Sequence, residues 1–290
     1  MNTSLTVLVS GATGNQGGAV VRALITKGFT VRALTRNTTS PAAKQVEALG
    51  AKIIQGNMDN VESIGQALKG VDAFYLMGNP MDGVEAETKQ GIALADAAKD
   101  ADVGHLIYGS VANADLDTGI PHFDSKYKVE QHIKTLDLPY TISAPVFFMD
   151  NVIAPWSIDA LKGGKIVQAM PGDRLLQQVS VKNIGNFVAS LVERREAVFG
   201  QRYDFAGDEL TGNETAKILT EKTRHEIDFE SIPVSYIKEQ SEDMGLMVEW
   251  FDNVGYNVDL GSLHKEFSDV DWQDFSQWAD SQSWEFLKHN

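Results

Sequence analysis

Three glycines spaced three residues apart lie near the N-terminus, directly after an apolar run. The run is Leu5–Val9 (LTVLV), and the glycine segment reads Gly11-Ala12-Thr13-Gly14-Asn15-Gln16-Gly17. In a strand–loop–helix unit, the first glycine permits a tight turn, the second lets a phosphate approach the backbone, and the third lets the helix pack on the strand. Free N–H groups at the start of the helix would face the phosphates. The spacing predicts a dinucleotide-binding loop with Thr13, Asn15 and Gln16 among its contacts, and a glycine-rich turn without a ligand is the alternative.

Arg36 follows the second predicted strand, where a dinucleotide site recognises the adenine ribose. Sites that prefer NAD(H) usually carry an acid here, which accepts hydrogen bonds from the ribose 2′-hydroxyl. No acid occurs between Gly11 and Glu47, whereas the guanidinium of Arg36 can bind a 2′-phosphate through two hydrogen bonds. Arg32 shares the strand face but lies deeper in the strand. The sequence therefore predicts NADP(H) as the cofactor, and the alternative is that Arg36 is a solvated charge at a strand end.

Two later loops are expected to complete the cofactor site, because they follow the third and fourth predicted strands. Asn57 and Met58 follow the third strand, where they would border the adenine. Gly78 and Asn79 follow the fourth strand, where the loop would pass the nicotinamide ribose. These assignments depend on position in the fold more than on residue chemistry.

Short β-branched runs alternate with helical patterns over the first 110 residues. The predicted strands are Leu5–Val9, Thr30–Leu34, Ala51–Gln55, Ala73–Met77 and His105–Tyr108, and the predicted helices are Gly18–Lys27, Ala42–Leu49, Val61–Leu68 and Thr88–Asp100. This alternation is typical of an α/β fold, a Rossmann doubly wound parallel sheet with helices on both faces. Such a sheet binds its ligand beyond the carboxyl ends of its strands.

The pattern loosens after residue 110. We predict a helix over Ser125–Thr135 that Asp124 or Ser125 caps, a strand over Tyr140–Phe148 that Pro145 ends or bulges, a strand at Arg202–Phe205, and helices over Gly212–Thr223 and Val234–Val254. The expected organisation is a dinucleotide-binding domain over residues 1–150 and a smaller C-terminal α/β lobe over residues 151–290, with strands that can be shared across the boundary.

Composition narrows the classes of protein to which the 290-residue chain can belong. It carries 25 basic and 40 acidic residues, a net charge of −15, which opposes attraction to nucleic acid and to anionic membranes. No run reaches the roughly 18 apolar residues of a membrane span, and a strand starting at Leu5 leaves no room for a signal peptide. There is no cysteine, and the six histidines show no metal-ligand spacing. These features predict a cytoplasmic protein without a bound metal.

Four segments resemble the NmrA-like group of atypical short-chain dehydrogenase/reductases: VLVSGATGNQGGAVVRALITKGFTVRALTRN, GAKIIQGNMDN, HFDSKYKVE and AGDELTGNETAKILT. The chain looks closest to the branch that contains NADPH-sensing redox-sensor proteins. The resemblance implies a Rossmann domain and a smaller lobe with a cleft between them, Arg36 at the 2′-phosphate and Lys126 near the nicotinamide ribose. It also implies one of two roles, since some members reduce quinones, carbonyls or imines with NADPH and others sense the cofactor and bind regulators.

The usual catalytic pair of short-chain reductases is a tyrosine four residues before a lysine. Here position 122, four residues before Lys126, is His122. An imidazole can itself act as an acid near neutral pH, and Ser110 stands roughly where such enzymes carry a serine or threonine. Ser110, His122 and Lys126 are therefore the candidate catalytic residues. The alternatives are a turn cap for Ser110, a helix-start residue for His122 and a surface lysine for Lys126.

The candidate substrate residues are largely apolar and flank the expected domain boundary. They are Pro80, Phe147, Phe148, Met149 and Trp156. They favour a small apolar or aromatic acceptor, and ordinary core packing is the alternative. We therefore expect an NADPH-dependent reductase of such an acceptor, and a non-catalytic NADPH/NADP sensor with a regulatory protein partner is the second hypothesis. The sequence leaves the oligomeric state open, a homodimer included.

Overall fold

The computed structural model describes residues 5–78 and 83–287 and divides them into two compact units. The first unit contains the described residues up to Asp117, together with Pro121–Pro145 and Val181–Asp204. The second contains Thr118–Ile120, Val146–Ser180 and the described residues from Phe205 onward. The first unit thus includes a segment that lies beyond the boundary expected at residue 150.

The strands are short and are spread over both units. They are β1 (Thr6–Val9), β2 (Thr30–Thr35), β3 (Lys52–Gln55), β4 (Ala73–Leu76), β5 (Leu106–Gly109), β6 (Tyr140–Pro145), β7 (Phe147–Phe148), β8 (Lys165–Gln168), β9 (Leu175–Val179), β10 (Gln201–Phe205), β11 (Asp208–Thr211) and β12 (Asp228–Ser231).

The helices include six of 12 residues or more. They are α1 (Asn15–Thr26), α2 (Pro41–Ala48), α3 (Val61–Leu68), α4 (Val84–Asp100), α5 (Pro121–Thr135), α6 (Ile158–Lys162), α7 (Val181–Arg194), α8 (Gly212–Thr223), α9 (Val234–Gln240), α10 (Glu242–Asn253), α11 (Leu260–Glu266) and α12 (Phe275–Asp280).

A seven-stranded sheet in the order β10-β6-β5-β4-β1-β2-β3 forms the centre of the first unit. Strands β1 to β6 pair in parallel, with Val7 opposite Val31 on one side and opposite Ala73 on the other. The order β3-β2-β1-β4-β5-β6 is that of the doubly wound dinucleotide-binding fold. The predicted α/β Rossmann class is therefore confirmed, and its strand order reverses beside β1, where the glycine loop begins.

Helix α7 packs closely against α1 in the first unit. A Cβ added at Gly185 would lie 2.4 Å from the backbone oxygen of Ala19, so only glycine permits this approach of the two helices. The α7 residues Ile184, Phe187 and Val188 are fully buried. We did not predict this helix.

The second unit contains a three-stranded sheet, β11-β9-β7, and a two-stranded parallel pair, β12-β8. Its core joins residues of α8 and α12 with the segment that follows β7, and Met149, Leu219 and Trp278 are buried there. Strands β8, β9, β11 and β12 were not predicted.

Several predicted elements differ from the observed ones, and α1 and α4 begin three and four residues earlier than predicted, at Asn15 and Val84. Helix α5 begins at Pro121, because proline fits the first turn, where the backbone N–H has no helical partner. The strand predicted over Tyr140–Phe148 ends at Pro145, and Phe147–Phe148 joins the sheet of the second unit. The helix predicted over Val234–Val254 is two helices, because Ser241 is extended (φ −157°) and its hydroxyl caps α10.

Candidate functional site

The glycine loop has the geometry that its spacing predicts. Gly11 adopts a left-handed φ of +60°, and a Cβ at Gly17 would lie 2.2 Å from the carbonyl oxygen of Gly11. The Gly14 N–H donates to that same oxygen at 2.9 Å. Gly14 is also the N-cap of α1 and supplies no side chain to its first turn. The start of α1 can therefore present its N–H groups to an anion.

Ser10 joins the ends of β1 and β4 beneath this loop. Its buried hydroxyl accepts from the Met77 N–H at 2.7 Å and lies 3.0 Å from the Met77 carbonyl oxygen, to which it can donate. These bonds fix the two strand ends that flank the glycine loop. We did not predict a role for Ser10, although its place between the strand and Gly11 was visible in the sequence.

A cavity of about 400 Å³ lies at the carboxyl ends of β1 to β4. Its lining includes seven of the predicted cofactor residues, namely Gly11, Thr13, Gly14, Arg36, Asn57, Met58 and Gly78. It also includes residues that we did not predict: Leu34, Thr35, Asn37, Ser40, Gly56, Asp59, Met77 and Gln90. The structure thus brings together four loops of the predicted site and adds the N-cap residue of α2 and one side chain of α4.

Four predicted cofactor residues, Asn15, Gln16, Gly17 and Lys126, are absent from the described lining of this cavity. Gly17 is buried under the loop, and Asn15 is the exposed first residue of α1. The amide of Gln16 donates to the hydroxyl of Tyr75 at 2.8 Å. Burial raises the pKa of Tyr75 well above its usual range, so this hydroxyl stays neutral. The predicted contact Asn79 lies outside the described residues.

Arg36 is exposed at the mouth of this cavity, and no other described residue engages its guanidinium in a hydrogen bond or ion pair. Arg32 differs, because its guanidinium donates to the carbonyl oxygens of Ala67 (3.0 Å) and Lys69 (2.7 Å) at the end of α3. The structure therefore gives Arg32 a helix-capping role and leaves Arg36 able to bind a ligand.

Asp59 is the one acid among the described residues that line the cavity, and it follows β3 rather than β2. Its carboxylate accepts from the Gln90 side chain at 2.7 Å, while its backbone N–H donates to the Asn57 side chain at 3.2 Å. The side chains of Asp59 and Asn57 are thus held by neighbours in the loop after β3. The position beside Arg36 carries no carboxylate.

Lys126 forms a partly buried ion pair with Glu87, a residue that we did not predict. The Lys126 Nζ lies 2.5 Å from Oε1 of Glu87, and the two side chains are 14% and 2% exposed. The hydroxyl of Ser125 lies 3.4 Å from the other carboxylate oxygen. Ser125 is buried within α5 and also donates to the His122 carbonyl oxygen at 2.9 Å, so it does not cap the helix as predicted.

His122 is the second residue of α5, and its ring packs edge-on against Phe123, with the ring centroids 4.9 Å apart. His122 therefore lies at the helix start, and its role as an acid stays a prediction. Because Lys126 follows it by four residues, both side chains project from one face of the helix. The predicted pair of His122 and Lys126 is therefore sterically compatible with a shared site.

Ser110 belongs to a different, buried network. Its hydroxyl donates to Glu130 Oε1 at 2.5 Å, and Glu130 is fully buried. Arg202 Nε contacts the second oxygen of Glu130 at 3.0 Å, and Nη1 pairs with Asp204 and, at 3.4 Å, with Asp115. Ser110 thus anchors one end of a charged cluster after β5, which accounts for its polarity without a role in chemistry.

The predicted substrate residues divide between a cavity and a core in the second unit. Phe147 and the exposed Trp156 line a cavity of about 420 Å³, while Met149 is fully buried in the core. Phe148 is half-buried and pairs with Val179 of β9. Met149 therefore belongs to the core of the second unit, and Pro80 lies outside the described residues.

Sequence comparison identifies the family. The model of the NmrA-like family matches residues 3–279. The chain belongs to the NmrA-like family. An NmrA-like family domain-containing protein of Dictyostelium discoideum is 30% identical over 273 residues, which cover 87% of this chain and 89% of that protein. Alignments with several fungal relatives, named NmrA-like family domain-containing oxidoreductases, span 41% to 60% of those proteins.

Solved structures share the fold of this NmrA-like chain at low sequence identity. NmrA, a negative transcriptional regulator in complex with NADP, has a TM-score of 0.79 and 20% identity, with 97% of this chain and 95% of that chain covered. The NADPH-dependent quinone oxidoreductase QOR2 of Escherichia coli, complexed with NADPH, has a TM-score of 0.77 and 20% identity, with 95% and 98% covered.

Two negative findings concern the described residues alone. Within them, no helix is both long and apolar enough to span a membrane. The same residues contain no group of three or more histidine, aspartate or glutamate side chains that could hold a metal ion.

Proposed function

We propose that this NmrA-like chain is an NADP(H)-dependent oxidoreductase that reduces a small apolar or aromatic acceptor, such as a quinone, carbonyl or imine. The observation that carries the proposal is the exposed Arg36 guanidinium at the edge of a cavity built on the glycine loop. The family includes members named as oxidoreductases, which supports redox chemistry at this site.

The residues present fit a dinucleotide with a 2′-phosphate. Gly11, Gly14 and the uncapped start of α1 would hold the pyrophosphate, since this loop has no room for a side chain at Gly17. Arg36 would bind the 2′-phosphate, and Ser40 stands beside it as the N-cap of α2. Lys126 would donate to the nicotinamide ribose.

The chain would contribute little more than orientation and a proton to the reaction. When bound, the nicotinamide supplies a hydride to the acceptor. His122 would hold a proton at its imidazole, on the same face of α5 as Lys126. Quinones and imines accept a hydride readily, so the reaction does not require the tyrosine that is missing at position 122. The expectation of an apolar acceptor rests on the aromatic residues Phe147 and Trp156 of the sequence.

The cofactor part of the proposal is tested by titrating the protein with NADPH and with NADH. We expect NADPH to bind at least about tenfold more tightly, because a guanidinium–phosphate hydrogen bond is charge-assisted. Arg36→Ala should abolish this difference, whereas Lys44→Ala should preserve it, because Lys44 is an exposed cation of α2 that does not line the cavity. Equal affinities of the wild-type protein for the two cofactors would contradict the proposal.

The chemical part is tested by following NADPH oxidation against a panel of quinones, aldehydes and imines. We expect turnover with at least one acceptor class and its loss in Lys126→Ala and His122→Ala. Tight NADPH binding without turnover of any acceptor would instead support the second hypothesis, a sensor whose occupancy changes a protein contact.

A further inference from the structure

Glu87 is a buried carboxylate that has no role in the proposed binding of the cofactor or in the proposed reaction. It lies in the first turn of α4 and is 2% exposed, whereas Glu85 of the same turn is exposed. Burial of a carboxylate is costly unless it is paired and hydrogen-bonded. Glu87 meets this requirement through two residues of α5, with Lys126 on one oxygen and Ser125 near the other.

The Glu87 side chain also lies against the wall of the cofactor cavity. A Cβ placed on Gly78, which lines that cavity, would be 3.0 Å from Cγ and 3.1 Å from Oε1 of Glu87. The oxygen that contacts Lys126 is therefore the one beside Gly78. The ion pair thus lies beside Gly78, a lining residue that follows β4.

We propose that Glu87 is a positioning residue that holds the Lys126 ammonium beside Gly78, in place to donate to the ribose of bound NADP(H). This inference rests on the proposed function. An ammonium has three N–H donors, so one bond to Glu87 leaves two for ribose hydroxyls. A free lysine loses much rotamer freedom when it binds, and a lysine already fixed by an ion pair loses less.

If Glu87 had the opposite role, the Glu87 variants would change cofactor affinity in the opposite direction. If the ion pair held Lys126 away from the cofactor, the removal of Glu87 would free the lysine and strengthen binding. The position of Oε1 favours positioning, because the same oxygen that contacts the ammonium lies against Gly78 of the cavity lining.

The test measures the NADPH dissociation constant of the full-length protein and its variants. Glu87→Gln should weaken NADPH binding about five- to tenfold. This loss of affinity is the cost of ordering one side chain, Lys126, that is no longer held in place before the cofactor binds. Glu85→Gln is the matched control, since it removes the same charge from the same helical turn, and it should leave affinity unchanged. Glu87→Asp keeps the charge and should recover part of the loss.

A double-mutant cycle shows whether Glu87 acts through Lys126. In a Lys126→Met background, Glu87→Gln should change NADPH affinity by less than about twofold, because the lysine is no longer there to be held. This double variant carries no unpaired charge at the pair, so it should fold even if Glu87→Gln alone is unstable. Thermal unfolding of each variant reports folding separately from affinity.

A second readout does not depend on the cofactor. An amine-reactive reagent, followed by peptide mapping, should label Lys126 several times faster in Glu87→Gln than in the wild type or in Glu85→Gln, because the ion pair shields the amine. Affinity in Glu87→Gln equal to or tighter than in Glu85→Gln, or an equal loss in the Lys126→Met background, overturns the inference. A wild-type protein that binds no NADPH overturns the proposed function, and unchanged labelling then overturns the ion pair itself.

Discussion

Substitution of Arg202 should destabilise the first unit more than substitution of any one of its acidic partners. The guanidinium faces three carboxylates, those of Glu130, Asp204 and Asp115, and is itself only 14% exposed. Its third nitrogen donates to the Val111 carbonyl oxygen at 2.9 Å, so it also ties down the loop after β5. Arg202→Met removes the cation and leaves the three acids facing one another.

The magnitude follows from which charges remain unpaired. Removal of one partner from a buried ion pair costs about 3 to 5 kcal/mol, because the remaining charge is desolvated without compensation. Arg202→Met should reach this range, since Lys134 approaches Glu130 only at 4.0 Å and is 39% exposed. Glu130→Gln should cost about 1 to 2 kcal/mol, because Arg202 keeps two carboxylates and the amide can still accept from Ser110. Arg202→Lys keeps the positive charge but loses the planar set of N–H donors of the guanidinium, so its cost in stability should fall between the other two.

The assay must distinguish the two units. All five tryptophans lie in the second unit, so their fluorescence does not report on the first. Hydrogen exchange followed by mass spectrometry should therefore measure the peptides that contain β5 and β6. In Arg202→Met the most protected amides should exchange roughly a hundredfold faster or more.

Lys99→Met is the control for Arg202→Met. Lys99 pairs with Asp137 at 3.7 Å in the same unit, but both side chains are exposed, and its loss should leave exchange unchanged. Equal effects of Arg202→Met and Glu130→Gln would refute the argument from unpaired charge.

Two further predictions concern pH and the glycine loop. Burial raises the pKa of Asp204 to about 6 from 3.8, so its contribution to stability is complete below about pH 4 and is lost as the pH rises through 6. The free energy of unfolding of the wild type relative to Asp204→Asn should therefore fall by about 2 to 3 kcal/mol between pH 4 and 7, and a flat difference in denaturant titrations would contradict this. Gly17→Ala should weaken NADPH binding more than Gly14→Ala, since the added Cβ would meet the Gly11 oxygen at 2.2 Å rather than 3.4 Å. Calorimetric titration checks this order, and equal losses would contradict it.

The first unit was largely predictable because its strands are buried on both faces and its loops are marked by glycine. The end residues of β1 to β5 differ from the predicted ones by at most one residue. Helix α7 was also predictable in principle, since Ile184, Phe187, Val188 and Leu191 recur at helical spacing. The short strands β8 and β11 were not, because KIVQ and DELT are half polar and are specified by pairing with distant segments.

A residue of the candidate site could be predicted where its role depends on its own loop and not on a partner that is distant in the sequence. The glycine loop and Arg36 meet this condition, because strand order alone brings their loops to one edge of the sheet. The role of Glu87 could not be predicted in this way. The sequence VEAETKQ does not distinguish Glu85 from Glu87, and only the packing of α5 shows that Glu87 pairs with Lys126. The role of Ser110 could not be predicted for the same reason, because its hydrogen-bond partner Glu130 lies 20 residues away on a helix.

The distribution of paired charges explains why one residue should decide cofactor preference. The chain has a net charge of −15, yet its ligand would be a polyanion. Of the cations near the site, Arg32 caps a helix and Lys126 is paired with Glu87, whereas Arg36 is the one basic residue among those described around the cavity. The backbone N–H groups of the loop bind a pyrophosphate whether or not the ribose carries a phosphate, so they cannot discriminate. In the proposed complex, discrimination would therefore depend on Arg36, while the Glu87–Lys126 pair would act on the other ribose. Variants at the two positions should consequently separate cofactor preference from overall cofactor affinity.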